Sequence, residues 1–183
     1  MSCINRQSDK VMDRSSFLHR LYLLIGLVLL QVLFLNRICL FGYVTPLFYI
    51  WMIARFDSSM KRSATLLWAF FLGLAIDLFS GTPGLNAASA TLLAMFQPGI
   101  VKLFASMDRH DVIIPGSASM GGRQFAGYLL LLTILHCTVY FILRSIPLGD
   151  WTELVLKVIF STLLTWIFML VTEYVVAGSV RKR

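Results

Sequence analysis

The stretch AIDLFSGTPGLNAASA, residues 75–90, places the carboxylate of Asp77 inside a long apolar run. An ionised group at the centre of a membrane span costs roughly 2.5–3.5 kcal/mol, so Asp77 needs a partner or a function there. Two interpretations are open. Asp77 faces the helix bundle and fixes its packing, or it faces a groove and binds a partner or ligand. Lys157 is a candidate ion-pair partner of Asp77, and Glu153, four residues before it, is the competing partner of that lysine.

Three other segments carry residue types that could react or bind a metal, but their spacing does not favour such chemistry. Adjacent helical residues point about 100° apart, so His136 and Cys137 do not face each other and the histidine is predicted to pack by hydrogen bonding. The run DRHD at 108–111 has no further ligand nearby, and GSASMGGR at 116–123 lacks the Lys-Ser/Thr ending of a phosphate loop. We predict a flexible linker there. We therefore predict no catalytic residue, no cofactor, no metal site and no enzymatic activity.

The composition is that of a membrane protein. Of 183 residues, 58% are hydrophobic and 14% are charged, whereas about 25% of the residues of a soluble domain are charged. The net charge of +7 comes without a basic helix interleaved with aromatic residues, so nucleic acid is not an expected partner. The apolar runs follow one another closely and predict a single polytopic domain over residues 1–183.

Six apolar runs approach the length of about 20 residues that a helix needs to cross a bilayer. The predicted fold is therefore an all-α integral membrane protein with about six transmembrane helices in one bundle. The predicted spans are residues 17–35, 38–54, 64–80, 88–105, 125–143 and 153–177.

Basic residues orient these spans, because Lys and Arg accumulate on the cytoplasmic side of a membrane. Both termini are predicted to be cytoplasmic, since that arrangement places most of the 16 basic residues on one side. The cytoplasmic segments are then a basic arm over 1–16, a connection near 55–62, a loop over 106–124 and a basic tail over 178–183.

The third and fourth spans are predicted to form a tight hairpin. Pro83 and Gly84 suit the centre of a type II turn, and Asn86 is the predicted N-cap of the next helix. Small residues would let the two helices approach closely, and these are Gly73, Ala87, Ala90 and Ala94. The outer end carries a polar tip that consists of Asp77, Ser80, Gly81, Gly84 and Asn86.

The segment GLAIDLFSGTPGLNAASATLLAM, residues 73–95, resembles the rod shape-determining MreD family. The resemblance lies in the glycine, the aspartate near the outer helix end, the Ser-Gly-x-x-Gly-Leu turn and the small residues that open the next helix. It implies a non-catalytic scaffold of the cell-elongation machinery in the bacterial inner membrane. The expected partner is MreC, and through it MreB, RodA and a class B penicillin-binding protein, with membrane lipid around the bundle.

The alternative is a membrane subunit of another class. Bundles of this size and span number are similar to the substrate-binding subunits of energy-coupling vitamin transporters. Such a subunit should direct several polar or aromatic side chains into one cavity. Copurification with MreC would support the scaffold, and copurification with paired ATPase subunits would support the transporter.

Overall fold

In the described parts of a computed structural model of this chain, every regular element is an α-helix. The structure describes residues 2–35, 46–57, 60–104, 115–145 and 151–180, and within these ranges it describes side chains from residue 17 to residue 176 except at 118. The helices are α1 (Ser2–Leu33), α2 (Ile50–Ala54), α3 (Arg62–Ser80), α4 (Leu85–Phe104), α5 (Ser117–Met120), α6 (Gly122–Ser145) and α7 (Trp151–Val180).

Four of these helices are long and apolar enough to cross a membrane, namely α3, α4, α6 and α7 over Trp151–Val176. They coincide within a few residues with the predicted third to sixth spans, so the prediction of an all-helical, multi-pass membrane protein is confirmed. The apolar part of α1, Phe17–Leu33, is shorter. The helix itself begins at Ser2, so most of the predicted basic arm is helical.

The packing order follows the chain. Helix α3 packs most extensively against α4, α4 packs against α6, and α6 packs against α7. Helix α1 lies against α3, while the short helix α2 contacts α1, α4 and α6. The described part of the bundle therefore surrounds α2 with the longer helices.

Residues 46–57, which we call the central segment, are not a spanning helix in the structure. Residues 46–49 are non-helical, and α2 contributes only one and a half turns before the segment ends. The prediction of one continuous helix over 38–54 is therefore wrong at residues 46–49, and residues 38–45 lie outside the described residues. Pro46 lacks a backbone N–H and cannot take part in a regular helix interior. Tyr49, Ile50 and Ile53 have no exposed surface, so this irregular segment lies inside the protein.

The N-terminal half of the central segment is held by side chains of α1 and α7. The amide of Gln31 donates from Nε2 to the carbonyl of Pro46 at 2.8 Å and accepts at Oε1 from the N–H of Phe48 at 3.0 Å. The N–H of Leu47 donates to Oγ1 of Thr165 at 3.0 Å. Buried backbone groups need such partners, because leaving one unsatisfied costs about 1–3 kcal/mol.

The C-terminal half of the segment is held by side chains of α4 and α6. The hydroxyl of Tyr128 donates to the carbonyl of Ala54 at 2.9 Å, and Nε2 of Gln97 donates to the carbonyl of Phe56 at 3.2 Å. Gln97 Nε2 also lies 3.2 Å from the Tyr128 hydroxyl oxygen. Polar side chains of four longer helices thus replace the backbone hydrogen bonds that a continuous helix would have made.

We expect Thr165→Val to lower the free energy of unfolding by about 1–3 kcal/mol, because valine has the same shape but leaves the N–H of Leu47 without its acceptor. Thr172→Val is the matched control on the same helix, since its hydroxyl only bonds the carbonyl of Phe168 one turn earlier, at an exposed site. Its effect should lie within about 0.5 kcal/mol. Denaturant titration in detergent measures both, and equal losses would contradict this role of Thr165.

Candidate functional site

The candidate site is the tip between α3 and α4, where two glycines set the path of the backbone. Gly81 ends α3 with a φ of 66°, and its N–H bonds the carbonyl of Asp77. The N–H of Thr82 bonds the same carbonyl at 3.2 Å. Gly84 has a φ of 77°, and α4 begins at the next residue. Both angles lie in the left-handed region that glycine adopts without steric cost, which is why the turn is short.

The side chain of Asp77 joins the two helices. It is 5% exposed, and its carboxylate points to the first turn of α4. Oδ1 accepts from the N–H of Asn86 at 3.0 Å, from Nδ2 of Asn86 at 2.8 Å and from Oγ1 of Thr82 at 2.6 Å. Oδ2 accepts from the N–H of Ala87 at 2.8 Å. Asp77 therefore caps the N-terminus of the following helix, where a carboxylate is stabilised by the helix dipole.

Asn86 does not have the predicted N-cap role. Helix α4 begins at Leu85, so Asn86 is already inside the helix. The N–H of Ala88 bonds the carbonyl of Gly84, which makes Gly84 the residue at the N-cap position. Because the carboxylate of Asp77 already accepts the free amides of this turn, the side chain of Asn86 is available for other contacts. Its Nδ2 also donates to Oγ1 of Thr82 at 3.1 Å.

Small residues bring α3 and α4 into backbone contact. A Cβ atom added at Gly73 would lie 2.5 Å from Cα of Ala87 and 2.5 Å from the carbonyl oxygen of Asn86. Ala87, Ala90 and Ala94 are all buried on the facing side of α4. The structure thus brings together the predicted packing residues and the carboxylate, one helical turn apart.

A chain of buried hydrogen bonds leads from this tip to α6. The hydroxyl of Tyr49 donates to Oδ1 of Asn86 at 2.9 Å and lies 2.7 Å from Nε2 of His136. Since the one proton of the tyrosine is used toward Asn86, we infer that Nε2 of His136 carries a proton and donates to Tyr49. Each residue of the chain then donates a hydrogen bond toward Asp77. Hydrogen bonds in such a chain strengthen one another in an apolar interior. The predicted role of His136 as a hydrogen-bonded packing residue agrees with this position.

Lys157 pairs with its helical neighbour. Its Nζ lies 2.9 Å from Oε1 of Glu153, four residues earlier on α7. In the described part of the chain no ion pair joins Lys157 to Asp77, whose oxygens accept from Thr82, Asn86 and Ala87 instead. The candidate ion pair between Asp77 and Lys157 is therefore not formed. Lys157 pairs with Glu153 instead, and this pair needs no contact between α3 and α7.

A second polar cluster lies near the other end of the bundle and was not predicted from the sequence. Glu173 is 5% exposed. Its carboxylate accepts from Nη1 of Arg55 at 3.0 and 3.1 Å, from the N–H of Ser117 at 3.1 Å and from Oγ of Ser117 at 2.9 Å. Part of the predicted linker 116–123 is accordingly helical, as α5 and the start of α6.

The remaining candidates are placed as follows. Ser80 is the last residue of α3, and Gly81 and Gly84 are exposed at the tip. Cys137 is a buried free thiol. The 108–111 segment lies outside the described residues, and the described residues contain no group of three or more residues able to hold a metal ion.

Comparison of the chain with protein-family models, with curated proteins and with solved structures found no match.

We expect Gly73→Ala to lower the free energy of unfolding by about 1–3 kcal/mol, because the added methyl group meets α4 backbone that cannot rotate away. Gly26→Ala is the control, since a Cβ at Gly26 on α1 has nothing within 4 Å. That change should be neutral or stabilising by up to about 1 kcal/mol. Thermal unfolding in detergent compares the two, and similar stabilities would argue against a close approach of α3 and α4.

Asp77→Ala should lower the free energy of unfolding by about 3 kcal/mol, because it leaves the N–H groups of Asn86 and Ala87 without an acceptor at a buried helix end. Asp77→Asn should have a smaller effect, since one oxygen remains. Glu153→Ala is the control carboxylate, and its partly exposed pair contributes at most about 0.5 kcal/mol. A double-mutant cycle between Asp77 and Lys157 should give no coupling, and a strong coupling would contradict the cap.

Proposed function

We propose that this chain is a non-catalytic, multi-pass scaffold of the bacterial inner membrane that binds MreC. In this proposal it supports peptidoglycan synthesis guided by MreB, and so rod shape, and it acts indirectly on RodA and a class B penicillin-binding protein. Membrane lipid surrounds the bundle, and neither a cofactor nor nucleic acid takes part. The observation that carries the proposal is that the residues of the segment resembling MreD together fix the tip between α3 and α4.

The residues of that segment act as one unit in the structure. Gly73 allows the close contact, Asp77 caps α4, and Gly81 and Gly84 shape the turn. All of these features fix the position of two helix ends, as a docking surface requires. A partner cannot reach the carboxylate of Asp77 directly, because Asp77 is buried and its oxygens accept from its own chain.

The partner contact is therefore assigned to the exposed apolar edge of the tip. Leu78 is 79% exposed and Phe79 is 65% exposed, directly after the buried Asp77. A single transmembrane helix of MreC packing there would gain van der Waals contact with a rigid surface, which drives helix association in lipid. Leu78 and Phe79 are the anchors of this interface in the proposal.

Six crossings with both termini in the cytoplasm complete the proposal. The basic residues Arg62, Lys102 and Arg123 stand at the start of α3, near the end of α4 and at the start of α6. Antiparallel neighbours place these three positions at one end of the bundle, as the positive-inside rule requires. The first two crossings would be α1 and the chain that ends in the central segment.

The interior argues for a scaffold more than for a transporter subunit. Four polar side chains of the interior, those of Gln31, Gln97, Tyr128 and Thr165, bind the central segment of the same chain instead of lining an open cavity. That segment occupies the middle of the described bundle.

The test is copurification of the chain with MreC from the same organism, expressed in the same cells. The double variant Leu78→Ala, Phe79→Ala should bring down at most about a tenth of the MreC that the unaltered chain brings down, because it removes the proposed anchors. The control Phe96→Ala, Leu103→Ala removes the same two side-chain types from exposed sites on α4. It should retain MreC. Equal losses would place the interface elsewhere, and copurification of paired ATPase subunits with the unaltered chain would overturn the scaffold.

A further inference from the structure

An apolar groove of about 470 Å³ separates α1 from α3 on the outside of the bundle. Its walls are formed by side chains at helical spacing on both helices, chiefly Phe17, Leu21, Leu24, Leu67, Trp68 and Phe71. The rings of Phe17 and Trp68 lie 5.2 Å apart. The C-terminal parts of both helices lie near Tyr49, since Gln31 bonds the neighbouring Phe48 and Tyr49 reaches Asp77 through Asn86, so α1 and α3 run parallel. The groove therefore lies toward the end of the bundle where α3 begins.

The open end of the groove carries positive charge. Arg20 follows Phe17 by three residues on α1 and therefore lies on the groove side of that helix. Lys61 is the N-cap residue of α3, three positions before the lining residue Ala64. Lys61 is exposed and Arg20 is partly exposed. The two ion pairs in the described part of the chain, Arg55–Glu173 and Glu153–Lys157, involve neither residue. An anion is therefore the complementary occupant of this end.

The size of the groove favours lipid chains over a helix. From Ala64 to Phe71 the groove descends about 10 Å, and a helix with its side chains occupies roughly 800 Å³ or more over that depth. A groove of 470 Å³ is too small for that volume. At the roughly 30 Å³ of a water-sized group, it holds on the order of fifteen methylene groups. That amount suits the upper part of the acyl chains of one phospholipid.

We propose that this groove binds an anionic phospholipid, with its phosphate between Arg20 and Lys61 and its acyl chains against Trp68 and Phe71. Basic sites between helices at the cytoplasmic surface recognise anionic headgroups in this way. The site lies away from the α3–α4 tip. It does not depend on the proposed scaffold function and is tested on the purified chain alone.

Trp68 reports on the occupant, because bromine on an acyl chain quenches tryptophan fluorescence only at short range. The full chain is reconstituted in vesicles of phosphatidylcholine with a minor fraction of phosphatidylglycerol, and either lipid carries the bromine at the same mole fraction. The signal of Trp68 is the difference between the unaltered chain and Trp68→Phe. We expect stronger quenching of Trp68 by brominated phosphatidylglycerol than by brominated phosphatidylcholine.

Removal of the two charges should weaken the preference for the anionic lipid. The double variant Arg20→Gln, Lys61→Gln should weaken the preference for phosphatidylglycerol by about fivefold for each charge removed. The control Lys102→Gln, Arg123→Gln removes the same charge from two exposed sites elsewhere and should keep the preference. Equal losses in both double variants would mean general attraction to the surface and would overturn the site.

Filling the groove tests the acyl-chain contact independently of charge. Ala64→Phe should reduce quenching of Trp68 by both lipids, whereas Ala88→Phe, on an exposed part of α4, should not. Both substitutions add the same volume at sites outside the buried core, and retained thermal unfolding confirms the fold. Quenching of the unaltered chain by neither lipid would mean that a second copy of the chain covers the groove, which would also overturn the proposal.

Discussion

The structure depends on hydrogen bonds between side chains of the spanning helices and the non-helical backbone of the central segment. In an apolar interior, backbone N–H and C=O groups outside a helix have no water to bind, and each must find a partner. Gln31, Thr165, Gln97 and Tyr128 are these partners, and each lies on a different helix. The four helices therefore cannot shift relative to the segment without exposing buried polar groups, and the segment fixes their relative positions.

The same constraint explains the α3–α4 tip. A helix N-terminus leaves amide groups that its own turns cannot satisfy, and α4 begins where Asn86 and Ala87 are buried. Asp77 accepts from these amides, so a carboxylate inside an apolar run stabilises the fold rather than opposing it. Tyr49 connects this cap to the central segment through Asn86, and His136 extends the contact to α6. The polar interior is thus a connected network that runs across several helices.

The sequence predicts the parts of this fold that depend on local properties. Hydropathy locates the four long spans, and Pro83 with Gly84 predicts the turn, because left-handed backbone favours glycine and Gly84 adopts it. The prediction that Asn86 caps α4 was wrong, because a local capping rule does not take into account a carboxylate supplied by the preceding helix. The contacts of Glu173 and the central segment were not predicted, because an apolar run looks the same whether it crosses the membrane as a helix or is interrupted inside the protein. Those contacts join residues from 15 to 118 positions apart along the chain, beyond the reach of local sequence rules.

The division between interior and surface limits what such a chain can recognise. Most of its buried polar side chains bind one another and the backbone, and the outside presents mainly apolar side chains, with Lys102 and Arg123 near one end. Lipid is as apolar as these side chains, and burial of apolar area therefore gives no driving force for helix association in the membrane. Recognition of a partner helix must then come from shape, which requires a surface that does not deform. The cap at Asp77 and the close contact at Gly73 supply that rigidity to the edge formed by Leu78 and Phe79. A buried carboxylate can thus determine binding at residues that it never touches, by keeping the helix ends beside it in one arrangement.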